Sequence, residues 1–200
     1  MLKIGLTGSI GMGKTTTANM FGQLGAPIFD ADEMVHTLYQ KGYQGFDIIK
    51  EICAPATMGD KVDRDILSAF ILKNPHALNA IEAGLHPLIQ AIEDQFFTDS
   101  QNSGANYIIF VIPLLFETKT SDKMDKIIVV TADEADQKQR VMARGGMSTE
   151  KFDMIIAKQL PDAEKRQLAD YIVDTSDGID VAKQQVELID TILSQLAQTA

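Results

Sequence analysis

Apolar residues follow two patterns along this chain. Short runs that are apolar almost throughout occur at residues 2–6, 107–112, 126–130 and 171–173, with a briefer one at 28–29. Runs of that length bounded by Gly, Pro and polar residues read as strands buried on both faces of a parallel sheet. Between them, apolar positions recur every three or four residues, as in Ile66, Leu67, Phe70 and Ile71, or Leu85, Leu88, Ile89 and Ile92. That spacing lines one face of a helix. Helices are predicted after the first strand (15–21), through most of 33–97, and at 132–143, 148–159, 162–168 and 179–196. Asn74-Pro75 and His86-Pro87 read as helix starts, because proline is tolerated in the first turn.

Strands alternating with helices predict an α/β fold with a doubly wound parallel sheet. The helical stretch between the second and third strands is too long for one crossover. It is read as an inserted α-helical subdomain of about residues 33–100. The core is then about 1–32, 105–135 and 169–200, with a helical lid at about 140–165. Together they make one domain.

Between the first strand and first helix lies Gly8-Ser9-Ile10-Gly11-Met12-Gly13-Lys14-Thr15, which fits the phosphate-loop pattern G-x-x-x-x-G-K-[ST]. Glycines let the backbone curl so that successive N–H groups face one anion. The candidate nucleotide-binding residues are Gly8, Gly11, Met12, Gly13, Lys14, Thr15 and Thr16. Lys14 would reach the β- and γ-phosphates, the Thr15 hydroxyl would ligate Mg²⁺, and the helix N-terminus adds its positive dipole end. The flanking strand and helix are the context this motif requires, so the fold is read as a P-loop NTPase type.

Composition narrows the partners. The chain of 200 residues carries a formal charge of −10, which argues against general nucleic-acid affinity. A protein that handles phosphates at that charge must concentrate its cations, so its four arginines, Arg64, Arg140, Arg144 and Arg166, stand out. The single cysteine, Cys53, excludes an intrachain disulfide and sits in an apolar stretch that reads as core. The N-terminal apolar run is too short for a signal peptide, and none reaches membrane-spanning length. A soluble cytoplasmic protein, a monomer or weak homo-oligomer, is expected.

A phosphate loop names a ligand rather than a reaction. The guanine signature N-K-x-D is missing, since residues 118–121 lack the acid, and residues 174–177 lack the glycine of D-x-x-G. The apolar run 108–112 ends in Pro113 without the acid usual in motor ATPases. Small-molecule kinases remain, and these need an acid to orient the acceptor hydroxyl and cations to cover the phosphates. Asp30 and Asp32 follow the second strand. In an extended chain their spacing places them on opposite sides; both also suit a helix cap. Arg140 and Arg144, four apart, would share a helix face ahead of Gly145-Gly146, or be solvated surface charges.

These residues, together with Asp30-Ala31-Asp32, Asp63-Arg64, His86-Pro87, Pro113-Leu114-Leu115-Phe116-Glu117, the stretch from Gln137 to Arg144, Gln159 and Ala169-Asp170, resemble the dephospho-coenzyme A kinase family across almost the whole chain. The resemblance implies an enzyme that transfers the ATP γ-phosphoryl to the ribose 3′-hydroxyl of dephospho-CoA, giving CoA and ADP in the last step of coenzyme A biosynthesis. It implies Asp32 as catalytic base and Arg140 on the phosphates from the lid. Arg64 and His86 would bind dephospho-CoA, along with Asp32 and Arg144. Pro113 to Glu117 are read as shaping the floor of the site, with contact of Glu117 to substrate or Mg²⁺ as the alternative. Ser9, Met12 and Thr175 stand where the family more often has Gly, Ser and Asn. The alternatives are another nucleotide or sugar kinase of this fold, or a non-catalytic nucleotide switch.

Overall fold

The protein was analysed as a computed structural model, which describes residues 1–143 and 145–199. Five strands, β1 (Leu2–Thr7), β2 (Ile28–Asp30), β3 (Tyr107–Val111), β4 (Lys126–Thr131) and β5 (Tyr171–Asp174), form one sheet in the order β2-β3-β1-β4-β5. β1 pairs in parallel with β3 and β4, and β4 with β5. The apolar runs explain this. Alternate residues of each strand, Ile4 and Leu6, Ile109 and Val111, Ile128 and Val130, share one buried face. Helices α1 (Lys14–Gln23) and α9 (Ile179–Thr199) close that face with Phe21, Val186, Ile189 and Leu193. The intervening residues Ile108, Phe110 and Val129 are also buried, so both faces are covered. Phe29 and Phe110 meet at a ring-centroid distance of 5.5 Å on the β2–β3 side.

β1 is central, with later strands added first to one side and then to the other. Ligands bind such sheets beyond the carboxyl ends of the strands, where the strand order reverses. The loops after β1, β4 and β5 converge there. Thr175 N–H donates to Thr131 O at 2.9 Å, and the Thr7 hydroxyl donates to Pro113 O at 3.3 Å. On this side of the fold lie α6 (Glu134–Met142), α7 (Thr149–Ile156) and α8 (Asp162–Gln167).

The chain divides into two compact units, one of residues 1–29 with 100 onward, the other Asp30–Asp99. The second contains α2 (Ala31–Leu38), α3 (Gln44–Ile52), a 3₁₀ turn at Ala54–Thr57, α4 (Arg64–Lys73) and most of α5 (Pro75–Asn102). Its core gathers Phe46, Ile49, Cys53, Val62, Leu67, Ile81 and Leu85. Cys53 is buried there, as its apolar flanks predict. One boundary needs correction. α5 begins at Pro75 as expected but runs through Pro87 instead of starting again at it. An interior proline costs about 3 kcal/mol. The apolar stripe of Ile81, Leu85 and Ile89 continues past it into the unit's core, and that burial outweighs the lost hydrogen bond.

Candidate active site

Residues 8–13 form a tight loop between β1 and α1. Gly8 has φ +149°, and a Cβ there would lie 2.3 Å from Val130 O. A Cβ on Gly11, at φ +83°, would lie 2.5 Å from Val141 Cγ2. Only glycine fits these positions, so the loop packs directly on β4 and α6. Lys14 opens α1 and donates from Nζ to Gly8 O at 2.6 Å and Ser9 O at 3.0 Å, folding back along the loop. Thr15 and Thr16 are exposed in the first turn. No side chain caps this helix among the described residues, and uncapped first-turn amides are the groups that can take an anion. Met12 is buried in the core and presents only its backbone to the loop, the orientation its bulk predicts.

Beside the loop is a cavity of about 220 Å³ lined by Gly13, Thr16, Met20, Arg140, Thr175 and Ile179, among others. Arg140, near the end of α6, donates from Nη1 to Thr175 Oγ1 at 2.7 Å and from Nη2 to Thr175 O at 2.8 Å. Asp136, one turn back, is 3.4 Å from Nη2. The Thr175 hydroxyl also lies 3.0 Å from Met12 O and 3.1 Å from Thr131 O. One residue thus ties the phosphate loop, the end of β4 and the arginine together.

Two glutamines grip the loop from outside. Gln137 of α6 is buried and donates from Nε2 to Ile10 O at 2.7 Å, while Gln159 Oε1 accepts from Ile10 N–H at 3.1 Å. The next residue, Leu160, donates its N–H to Glu117 Oε1 at 2.7 Å. Lys165 of α8 is fully buried with Nζ 2.9 Å from the same oxygen. Burial works to raise the Glu117 carboxyl, but Lys165 and the Leu160 amide outweigh it and hold the group below the ordinary carboxylate range. Glu117 therefore fastens the segment after α7 to the loop after β3.

In the second unit, a cavity of about 770 Å³ is lined by His36, Gln40, Lys61, Asp63, Arg64 and their neighbours. Arg64 Nη1 lies 2.9 Å from His36 Nε2. Asp63 is spent as the cap of α4, accepting from the amides of Asp65 and Ile66 at 3.0 Å each. Asp60 lies 3.3 Å from Lys41 Nζ.

Of the two readings of Asp30 and Asp32, an extended strand end or a helix cap, the structure has the cap, and only at Asp30. α2 starts at Ala31, and Asp30 Oδ1 accepts from the amides of Asp32 at 2.9 Å and Glu33 at 3.1 Å. Asp30 is the cap, and Asp32 is an exposed first-turn residue. His86 is exposed on α5 and is not among the residues lining the 770 Å³ cavity, where His36 pairs with Arg64 instead. Arg144 lies outside the described residues, and α6 ends at Met142. Sequence reasoning gave no role to His36, Lys165 or the two glutamines. Gln137 carried little signal, since α6 is polar along most of its length and only Val141, four residues on, is buried beside it.

A family model for dephospho-CoA kinase matches residues 2–180. Among similar proteins, the dephospho-CoA kinase of Rhizobium meliloti is 47% identical over 94% of this chain and 96% of the relative. That of Rhodopseudomonas palustris is 44% identical over 94% of each. A solved structure from Thermus thermophilus superposes with TM-score 0.82 and 27% identity, covering 98% of this chain and 97% of the other. Two further structures share the fold: dephospho-CoA kinase from Campylobacter jejuni, at TM-score 0.63, 24% identity and 96% and 97% coverage, and shikimate kinase from Acinetobacter baumannii, at 0.53, 14%, and 98% and 94%. Among the described residues no helix is long and apolar enough to cross a membrane. A match over nearly the whole chain, joined to a phosphate loop at the centre of a parallel sheet, shows that the chain belongs to the dephospho-CoA kinase family.

Proposed function

We propose that the residues described above divide the work of transferring the γ-phosphoryl of ATP to the ribose 3′-hydroxyl of dephospho-CoA. Membership of a kinase family gives ATP as donor and a small molecule as acceptor. The observation that carries the assignment of roles is the loop at residues 8–13. It is pressed onto β4 and α6 and leads into uncapped helix amides, with Lys14 and Arg140 beside it.

The amides of Gly11, Met12, Gly13, Lys14, Thr15 and Thr16 hold the β- and γ-phosphates. Lys14 leaves the carbonyls of Gly8 and Ser9 to neutralise them. Arg140, anchored on Thr175, offsets charge developing on the transferring group. The cavity between Thr16, Met20 and Ile179 takes the base against an apolar wall. Thr15 offers one hard hydroxyl oxygen in an exposed first turn, which suits a cation bound mainly by substrate phosphates. Thr15, with the phosphates of the bound nucleotide, would hold Mg²⁺, and the ion would offset their negative charge.

The acceptor has a bulky, anionic pyrophosphate-bearing body. A cavity of about 770 Å³ holding Arg64, Lys61 and His36 supports its binding in the helical unit, with His86 and Arg144 retained as further candidates. Asp32 takes the proton of the attacking hydroxyl, supported by its being exposed while Asp30 does the capping. A cytoplasmic setting and no nucleic-acid partner fit the net charge of −10 and the single buried cysteine.

ADP release measured with and without dephospho-CoA tests the reading, with the product's phosphate position read by ³¹P NMR. A strong acceptor-dependent rate and a 3′-phosphate are expected. Release indifferent to dephospho-CoA would reject the assignment. Asp32→Asn should lose transfer by at least roughly 100-fold, the lower bound for general base catalysis, while ATP still binds. Near-parent turnover would remove Asp32 from the role.

A further inference from the structure

We infer that Gln137 and Gln159 are positioning residues for phosphoryl transfer, holding the phosphate loop through both backbone groups of a single residue, Ile10. This deepens the proposed function and rests on ATP binding at that loop. Ile10 is a position where the motif accepts any side chain, yet its carbonyl is met by Gln137 Nε2 at 2.7 Å and its N–H by Gln159 Oε1 at 3.1 Å. The contact partners dictate each amide's orientation, because a carbonyl needs a donor and an N–H needs an acceptor.

The two glutamines come from opposite ends of one segment. Gln137 lies on α6 and Gln159 follows α7, so residues 138–158, Arg140 included, leave and return through a single loop residue. The return is fastened a second time, where Leu160 N–H meets Glu117 Oε1 at 2.7 Å and buried Lys165 lies 2.9 Å from the same oxygen. A shift of the phosphate loop at Ile10 therefore either carries both roots of the arginine-bearing segment or breaks these hydrogen bonds. Setting the loop for phosphate and setting that segment are coupled. Losing one of these neutral hydrogen bonds should have a roughly 3- to 10-fold effect on a loop that would otherwise have to be ordered by ATP itself.

The test uses the full chain and compares Gln137→Leu, Gln159→Leu, Gln137→Glu and Gln159→Glu. Each glutamate swap puts the same added charge against the same residue, so their difference reads the hydrogen bond rather than the charge. The carboxylate introduced by Gln159→Glu still accepts from Ile10 N–H, whereas the one introduced by Gln137→Glu is set against the Ile10 carbonyl. Gln159→Glu should keep the KM for ATP within about 3-fold of the parent, and Gln137→Glu should raise it more than roughly 10-fold. Both leucine variants should raise the KM for ATP about 3- to 10-fold with the KM for dephospho-CoA unmoved. Equal effects of the two glutamate variants, or leucine variants that lower the melting temperature but leave the ATP KM alone, would overturn the inference. Loss of acceptor-dependent activity in the parent enzyme would instead reject the proposed function, so the two failures are distinct.

Discussion

At the residue scale, the site is made by side chains that satisfy backbone as much as by those that would touch substrate. Asp30 illustrates this. Its carboxylate is spent on two amides at the start of α2, so it acts as a cap, and Asp30→Ala should cost about 1 kcal/mol in urea denaturation, with Asp30→Asn close to the parent. A loss below about 0.3 kcal/mol would show the cap to be idle. Thr175 is the second case. Its hydroxyl receives Arg140 and lies within reach of Met12 O. Thr175→Ala should raise the KM for ATP about 3- to 10-fold, while Thr175→Ser, which keeps the hydroxyl, should restore it. Steady-state titration with ATP at saturating acceptor checks both. Lys14 and Thr15 stood out in the sequence through motif spacing, whereas Arg140 was separated from Arg144 only by the family resemblance. His36 could not be picked out, because its partner Arg64 is 28 positions away and only the packing of α2 near α4 brings them together.

Among elements, strands were easier to read than helix boundaries. All five were visible as apolar runs, and β3, buried at every position, shows why: a strand covered on both faces has no polar side to interrupt it. The helices were harder. Pro87 looked like a start and proved internal, because α5 is held by its buried stripe rather than by its backbone alone. The phosphate loop is the element most tightly constrained by its surroundings. Gly8→Ala would force a Cβ to 2.3 Å from Val130 O at a positive φ. It should abolish ATP binding, measured by calorimetry, and lower stability by more than a conservative surface change does. ATP binding within a few-fold of the parent would mean that the loop can move off β4.

For the molecule as a whole, the pair of partly buried Glu117 and fully buried Lys165 links the loop after β3 to α8. Because the Glu117 carboxyl is held below its ordinary range, its contribution to stability is fully present above about pH 4.5. It is lost as pH falls through the lowered folded-state value. Urea midpoints followed from pH 7 downward should therefore fall on the acid side more steeply for the parent than for Glu117→Gln. Parallel curves would deny the pair this role. Glu117→Ala should cost about 3–5 kcal/mol, since it strands a buried ammonium, and replacing both partners by apolar residues should cost much less. By itself the sequence determined the class of fold and the phosphate loop, because strand burial, glycine placement and the lysine–threonine pair are local patterns, and it gave the reaction family only through a resemblance that runs along almost the whole chain. Only the tertiary structure decided that Asp30 caps while Asp32 does not, that His36 faces Arg64, and that two glutamines share Ile10. Those outcomes depend on hydrogen bonds whose partners are chosen by the folded backbone, most of them across long stretches of chain, and no spacing rule along a sequence carries that information.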